Sequence, residues 1–94
     1  LKEARMLVRQ HHERHDGKGY PDGLGGGQLG VLAKIIIIAD AYDALTSDSQ
    51  YRKGMPRERA IDILRENRGT QFDPEFLDIF IAGKLYRIDG LTYE

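Results

Sequence analysis

All three histidines of this 94-residue chain fall within five positions, at His11, His12 and His15, with Glu13 and Asp16 among and beside them. Imidazole nitrogens and carboxylate oxygens are the usual ligands of borderline first-row ions, and adjacent residues at a helix end can diverge toward two neighbouring ions. The cluster therefore suits a multinuclear metal site, and it equally suits a polar helix end. His15 has no spacing that makes it a ligand and reads as a loop residue. Farther along, Asp40 and Asp43 stand three apart in an otherwise apolar run, so a helix would project them from one face. A carboxylate buried there is costly unless it is paired, hydrogen-bonded or metal-bound. That makes Asp40, directly after four isoleucines and an alanine, the stronger candidate for ligand or substrate duty. Asp43 can instead bond an adjacent helix end.

Phosphate contact is a second chemistry to weigh. Gly25-Gly26-Gly27 matches no P-loop and lacks its Lys-Ser/Thr ending, which argues against nucleoside triphosphate binding. The cations of Tyr51-Arg52-Lys53 suit either charge-assisted bonds to a diester or a solvated helix exit. Tyr20 by itself reads as a turn aromatic packed on the helices.

These residues need elements to position them. Leu1, Ala4, Leu7 and Val8 recur at helical intervals and predict an amphipathic helix from Leu1 to about His12. Six glycines and a proline between Asp16 and Gly27 then enforce a loop. Val31 to Leu45 is too long for a strand despite its isoleucines. Its alanines favour a helix, apolar on all sides and so central and buried. A third helix should run from Pro56, at its first position, to about Asn67, with Ala60, Ile61 and Leu64 inward and Gly69 as its stop. The fourth has the clearest start: Asp73 as cap, Pro74 at the first position, Glu75 favouring the dipole, Phe72 stapling onto Leu77, and an end near Gly83. In the tail, Leu85, Tyr86, Ile88, Leu91 and Tyr93 are packing candidates with no assigned element. The expected fold class is all-α, about four helices with a long glycine-rich loop between the first and second.

Composition narrows the partners. Lys and Arg number 14 against 15 Asp and Glu, a formal net charge of -1, which argues against a nucleic acid polymer as ligand. Without cysteine there is no disulfide framework, in keeping with a reducing compartment, and the cytoplasm is the expected location. The longest uninterrupted apolar stretch, Ile35 to Ala39, is far short of the ~20 residues of a membrane span. The sequence opens without Met, at Leu1 inside a helical pattern, so an excised fragment is expected.

The stretch from His11-His12-Glu13 through Asp16-Gly17 and Gly19-Tyr20-Pro21 to Gly23-Leu24 resembles the HHExxDGxGYPxGL signature of the HD-GYP family. Ala39-Asp40-Ala41-Tyr42-Asp43-Ala44-Leu45-Thr46-Ser47 is similar to that family's ADxxDALTS helix, and Gly69-Thr70-Gln71-Phe72-Asp73-Pro74 to its GTxFDP segment. The family is a branch of the HD phosphohydrolases, all-α proteins that hydrolyse phosphodiesters, cyclic di-GMP above all, with two or three metal ions, commonly iron or manganese. By position, the resemblance implies that His11, His12 and Asp40 are metal ligands, with no catalytic residue beyond them. It also implies that Gly19, Tyr20 and Arg52 border the substrate, a cyclic dinucleotide.

Two departures qualify this. Where the family continues Arg-Pro-Tyr-Arg, this chain has Ser49-Gln50-Tyr51-Arg52, so an expected phosphate-binding Arg is replaced by Ser49. The family's His-Asp pair and a further upstream His occur nowhere among residues 1–94, which would make the chain the C-terminal half of an HD-GYP domain with an incomplete metal site. The expectation is part of a metal-dependent phosphodiesterase, inactive in isolation and prone to self-association or helix exchange. The alternative is a degenerate binding module that senses nucleotide or docks a signalling partner through the GYP loop.

Overall fold

Four helices form among residues 2–83, the part of the chain that this computed structural model describes: α1 Lys2–Gln10, α2 Val31–Thr46, α3 Arg57–Glu66 and α4 Pro74–Ala82. No strand occurs among the described residues, and the expected all-α architecture stands. The tail candidates Leu85, Tyr86, Ile88, Leu91 and Tyr93 lie outside the described residues.

The isoleucine run is helical, and α2 is the central element, packed against each of the other three helices. Its burial is one-sided rather than complete. Ala33, Ile37, Ile38 and Tyr42 face the core, whereas Val31 and Leu32 are 57% and 61% exposed and Asp40 and Asp43 are exposed. The expectation of a helix apolar on all sides and wholly buried is thus corrected: the three partner helices leave one flank of α2 uncovered. Asp40 on that flank carries no burial penalty of the kind inferred from its apolar neighbours.

From α3 come Ala60, Ile61 and Leu64, all buried as their spacing predicts, and from α4 Leu77 and Phe80. Tyr42 and Phe80 meet edge to face, ring centroids 5.9 Å apart, an arrangement the aromatic quadrupoles favour. Leu29 and Phe72, from the first and third connecting loops, complete this core.

Helix ends depart from expectation by small, explicable amounts. The first helix ends at Gln10, not His12, because a turn closes beyond it through Glu13 N–H donating to Gln10 carbonyl at 2.9 Å. Pro56 is the N-cap residue of α3 and not its first member, with an extended ψ of 153°. At the other end Asn67, not Gly69, closes the helix. Its amide donates to Ile63 carbonyl at 2.9 Å, and its own carbonyl accepts from the N–H groups of Thr70, Gln71 and Phe72. Gly69 follows in the left-handed region, φ 84°, where it turns the chain toward α4.

The start of α4 forms as read, with Asp73 Oδ1 accepting from Phe76 N–H at 3.0 Å and Pro74 at the first position. Lys34 of α2 adds an ion pair to the same carboxylate at 3.2 Å. Burial pushes the Asp73 carboxyl up, but the Phe76 N–H and the Lys34 ammonium together outweigh it and hold it below its ordinary 3.8. A carboxyl depressed in the folded state stabilises fully above its unfolded pKa, about 3.9, and loses that contribution as pH falls through the folded value. Asp73→Ala should therefore cost about 1–2 kcal/mol at neutral pH. In urea titrations of both proteins the gap should close as pH drops below about 4; a gap constant down to acid pH would contradict this account.

A candidate metal and substrate cleft

The turn after α1 carries the histidine cluster, and the uncovered flank of α2 faces it. Between them lies a cleft of about 320 Å³ lined by His11, His12, Glu13, Arg14, Ile37, Asp40, Ala41, Ala44 and Gln71. His11, His12 and Asp40 are thereby brought to one concavity by α1–α2 packing. His11 and Asp40 also border a neighbouring recess with Leu7, Val8 and Ile36.

Each imidazole is oriented by a neighbour. His11 Nδ1 bonds to Val8 carbonyl. A carbonyl only accepts, so Nδ1 is the donor there, and Nε2 is the nitrogen left to a metal, as in a metal-ligating histidine with a backbone partner. The His12 ring lies between two others, tilted by 42° against His11 at 3.9 Å between centroids and stacked on Tyr20 at 4.9 Å and 19°. His15 is absent from the cleft lining. Its Nδ1 lies 3.7 Å from Asp73 Oδ2 and its ring against Gly26, which accords with the reading of a loop residue.

Glu13 is the residue whose role spacing alone did not reveal. It is 1% exposed, and its two carboxylate oxygens accept from Asp22 N–H at 2.8 Å and Leu24 N–H at 2.9 Å. The buried charge is thus satisfied by the glycine-rich loop, which it fastens to the end of α1. Outside it, Arg9 grips Asp22 with two parallel bonds of 2.8 and 2.7 Å, and the hydrogen bond from Arg9 holds the Asp22 carboxyl below its usual range. Arg14 grips Asp16 similarly at 3.1 and 3.0 Å, again lowering the carboxyl. Gly19 rests directly on the backbone of residues 12–14, which explains a glycine at that position by close approach.

At the far end of α2, Arg52 donates to Ala44 carbonyl at 2.9 Å, so its guanidinium is anchored beside a residue of the cleft. Ser49 organises that turn: its hydroxyl accepts from the N–H groups of Tyr51 and Arg52, both at 3.2 Å. Asp43 accepts from Ser47 hydroxyl at 3.0 Å, a bond at the end of its own helix and not to an adjacent one.

Imidazole and carboxylate donors in one cleft have the right chemistry for a first-row divalent ion. Among the described residues, however, no three His, Asp or Glu side chains come close enough together to hold one ion. His11, His12 and Asp40 thus share a cleft without closing a site.

An all-α unit with clustered histidines facing a helical aspartate is the arrangement the HD-GYP motifs lead one to expect. Residues 1–76 match the model of the HD domain family, and the chain belongs to that family. It is 39% identical over 79 residues to the cyclic di-GMP phosphodiesterase response regulator RpfG of Xanthomonas campestris, covering 84% of this chain and 21% of RpfG. It is also similar to 3'3'-cGAMP-specific phosphodiesterase 3 of Vibrio cholerae, 45% over 75 residues, covering 80% of this chain and 16% of that one. A cyclic di-GMP phosphodiesterase of Pseudomonas aeruginosa is 45% identical over 83 residues, 87% of this chain and 20% of the relative. The chain therefore spans about a fifth of the length of these curated relatives. Among the described residues no helix is long and apolar enough to cross a membrane.

Proposed function

We propose that this chain supplies one side of the metal centre of a cyclic-dinucleotide phosphodiesterase, with His11, His12 and Asp40 as its ligands. The observation that carries the reading is their convergence on one cleft from elements separated by the whole glycine-rich loop. Divalent ions, iron or manganese by resemblance and two or three in number, would supply Lewis acidity toward a phosphate oxygen and acidify water. The chain's own part is to present an imidazole with Nε2 free at His11, a stacked imidazole at His12 and an exposed carboxylate at Asp40. Gly19 and Tyr20 border the substrate, and Arg52, with donors beyond the one given to Ala44, offers a phosphate contact. Because three ligands do not enclose one ion, the isolated chain should bind metal weakly and turn over no substrate.

The test is a longer protein that carries this chain, assayed for metal content and for cyclic di-GMP cleavage. His12→Ala and Asp40→Ala should each lower activity by at least about a hundredfold, the upper end of what loss of a mere supporting residue costs at a metal site. Full activity with full metal content in either variant would remove that residue from the ligand set.

One observation favours a second reading, a degenerate module that binds nucleotide or a signalling partner through the loop around Gly19-Tyr20-Pro21. At position 49, where the resemblance expects a phosphate-binding Arg, the side chain is a hydroxyl engaged in its own turn. Losing a charge-assisted contact removes about 1.5–3 kcal/mol. A metal-loaded but inactive parent protein would select this reading.

A further inference from the structure

The His12 side chain is exposed, and an exposed imidazole left to itself samples several staggered rotamers. Here one face is covered by Tyr20, near parallel at 19° and 4.9 Å between centroids. The ring that covers it is held from both sides. Before it, Gly19 lies so close to the chain that an added Cβ would sit 2.5 Å from His12 carbonyl oxygen and 2.7 Å from Glu13 Cα. At it, Tyr20 N–H donates to His12 carbonyl at 3.3 Å. After it, the Glu13 carboxylate takes the N–H groups of Asp22 and Leu24, and Arg9 takes the Asp22 side chain. The backbone on both sides of Tyr20 is thus fastened to the end of α1, and from there its ring lies on the face of His12.

We infer that Tyr20 is a positioning residue, whose ring, fixed by the Glu13-anchored loop, sets the orientation of the His12 imidazole before any metal binds. The inference rests on the metal-centre reading for its purpose, not for its geometry. It also separates the two parts of the tyrosine: the ring does the positioning, and the hydroxyl is not required for it. Tyr20 itself is 61% exposed, so replacing it removes little from the core.

The experiment compares Tyr20→Phe and Tyr20→Leu in this chain, using the imidazole ring protons of His12 in NMR spectra without metal, followed by titration with Zn²⁺. Stacking of aromatic rings contributes enough beyond simple burial that its loss should weaken Zn²⁺ binding by about threefold to tenfold. Tyr20→Phe should keep both the ring-shifted His12 resonances and the Zn²⁺ affinity. Tyr20→Leu should move those resonances toward their unfolded-chain positions and lower the affinity. Loss of the ring moves these resonances by itself, so the deciding readout is the His12 α–β proton couplings: couplings in Tyr20→Leu that still report the single rotamer of the unsubstituted chain overturn the inference, whatever the titration gives. A His12 loosened by leucine in a longer protein that carries this chain and still takes up no Zn²⁺ supports the positioning geometry and counts against the metal-centre reading instead.

Discussion

Glu13→Ala should lower the unfolding free energy by about 2–3 kcal/mol, because the N–H groups of Asp22 and Leu24 lose a charged acceptor and a buried volume is emptied. For a domain near 100 residues this corresponds to a drop in melting temperature of roughly 10–20 °C. Glu13→Gln keeps the volume and one acceptor oxygen, so it should lose distinctly less. Thermal melts followed by circular dichroism decide the matter. A loss under about 0.5 kcal/mol, typical of an unremarkable surface change, would mean that water replaces the carboxylate and that the loop does not depend on it.

Gly19→Ala attacks the same arrangement from the other side. The new methyl would meet His12 carbonyl oxygen, Glu13 Cα and Arg14 nitrogen at 2.5, 2.7 and 2.8 Å, all backbone atoms that cannot swing aside. The loop must then lift from the end of α1 and take Tyr20 off His12. Overpacking of this kind costs about 1–3 kcal/mol, and here the cost falls on docking of the loop more than on the core. Limited trypsin digestion should cut after the exposed Lys18 faster by on the order of tenfold, as local opening becomes easier by about 1.4 kcal/mol. Equal digestion rates in the two proteins would show that the loop accommodates a side chain there.

What could be read from the sequence was local. Asp73-Pro74-Glu75 with Phe72 before it marks a helix start because every partner lies within four residues, and the inner face of α3 follows from spacing alone. The end of α3 near Asn67 follows from spacing, but the residue that closes it is Asn67 itself, which bonds both ways, and not Gly69. The burial of α2 was overestimated because hydropathy reports what a helix can bury, not how many neighbours arrive to bury it. Glu13 stayed silent for a related reason. Its partners lie nine and eleven residues away across glycines, and no periodicity encodes that contact. The cleft was legible only through family resemblance, since nothing in spacing relates His12 to Asp40.

The clasp formed by Glu13 divides the cleft into two kinds of wiring. His11, His12 and Tyr20 are held by contacts of short sequence separation, whose closure sacrifices little chain entropy. Asp40 reaches the same cleft only when α2 docks onto its neighbours. The histidine wall is therefore a local piece of architecture that can assemble early and persist through loosening of the bundle. The aspartate wall is a tertiary one, present only while the helices are packed.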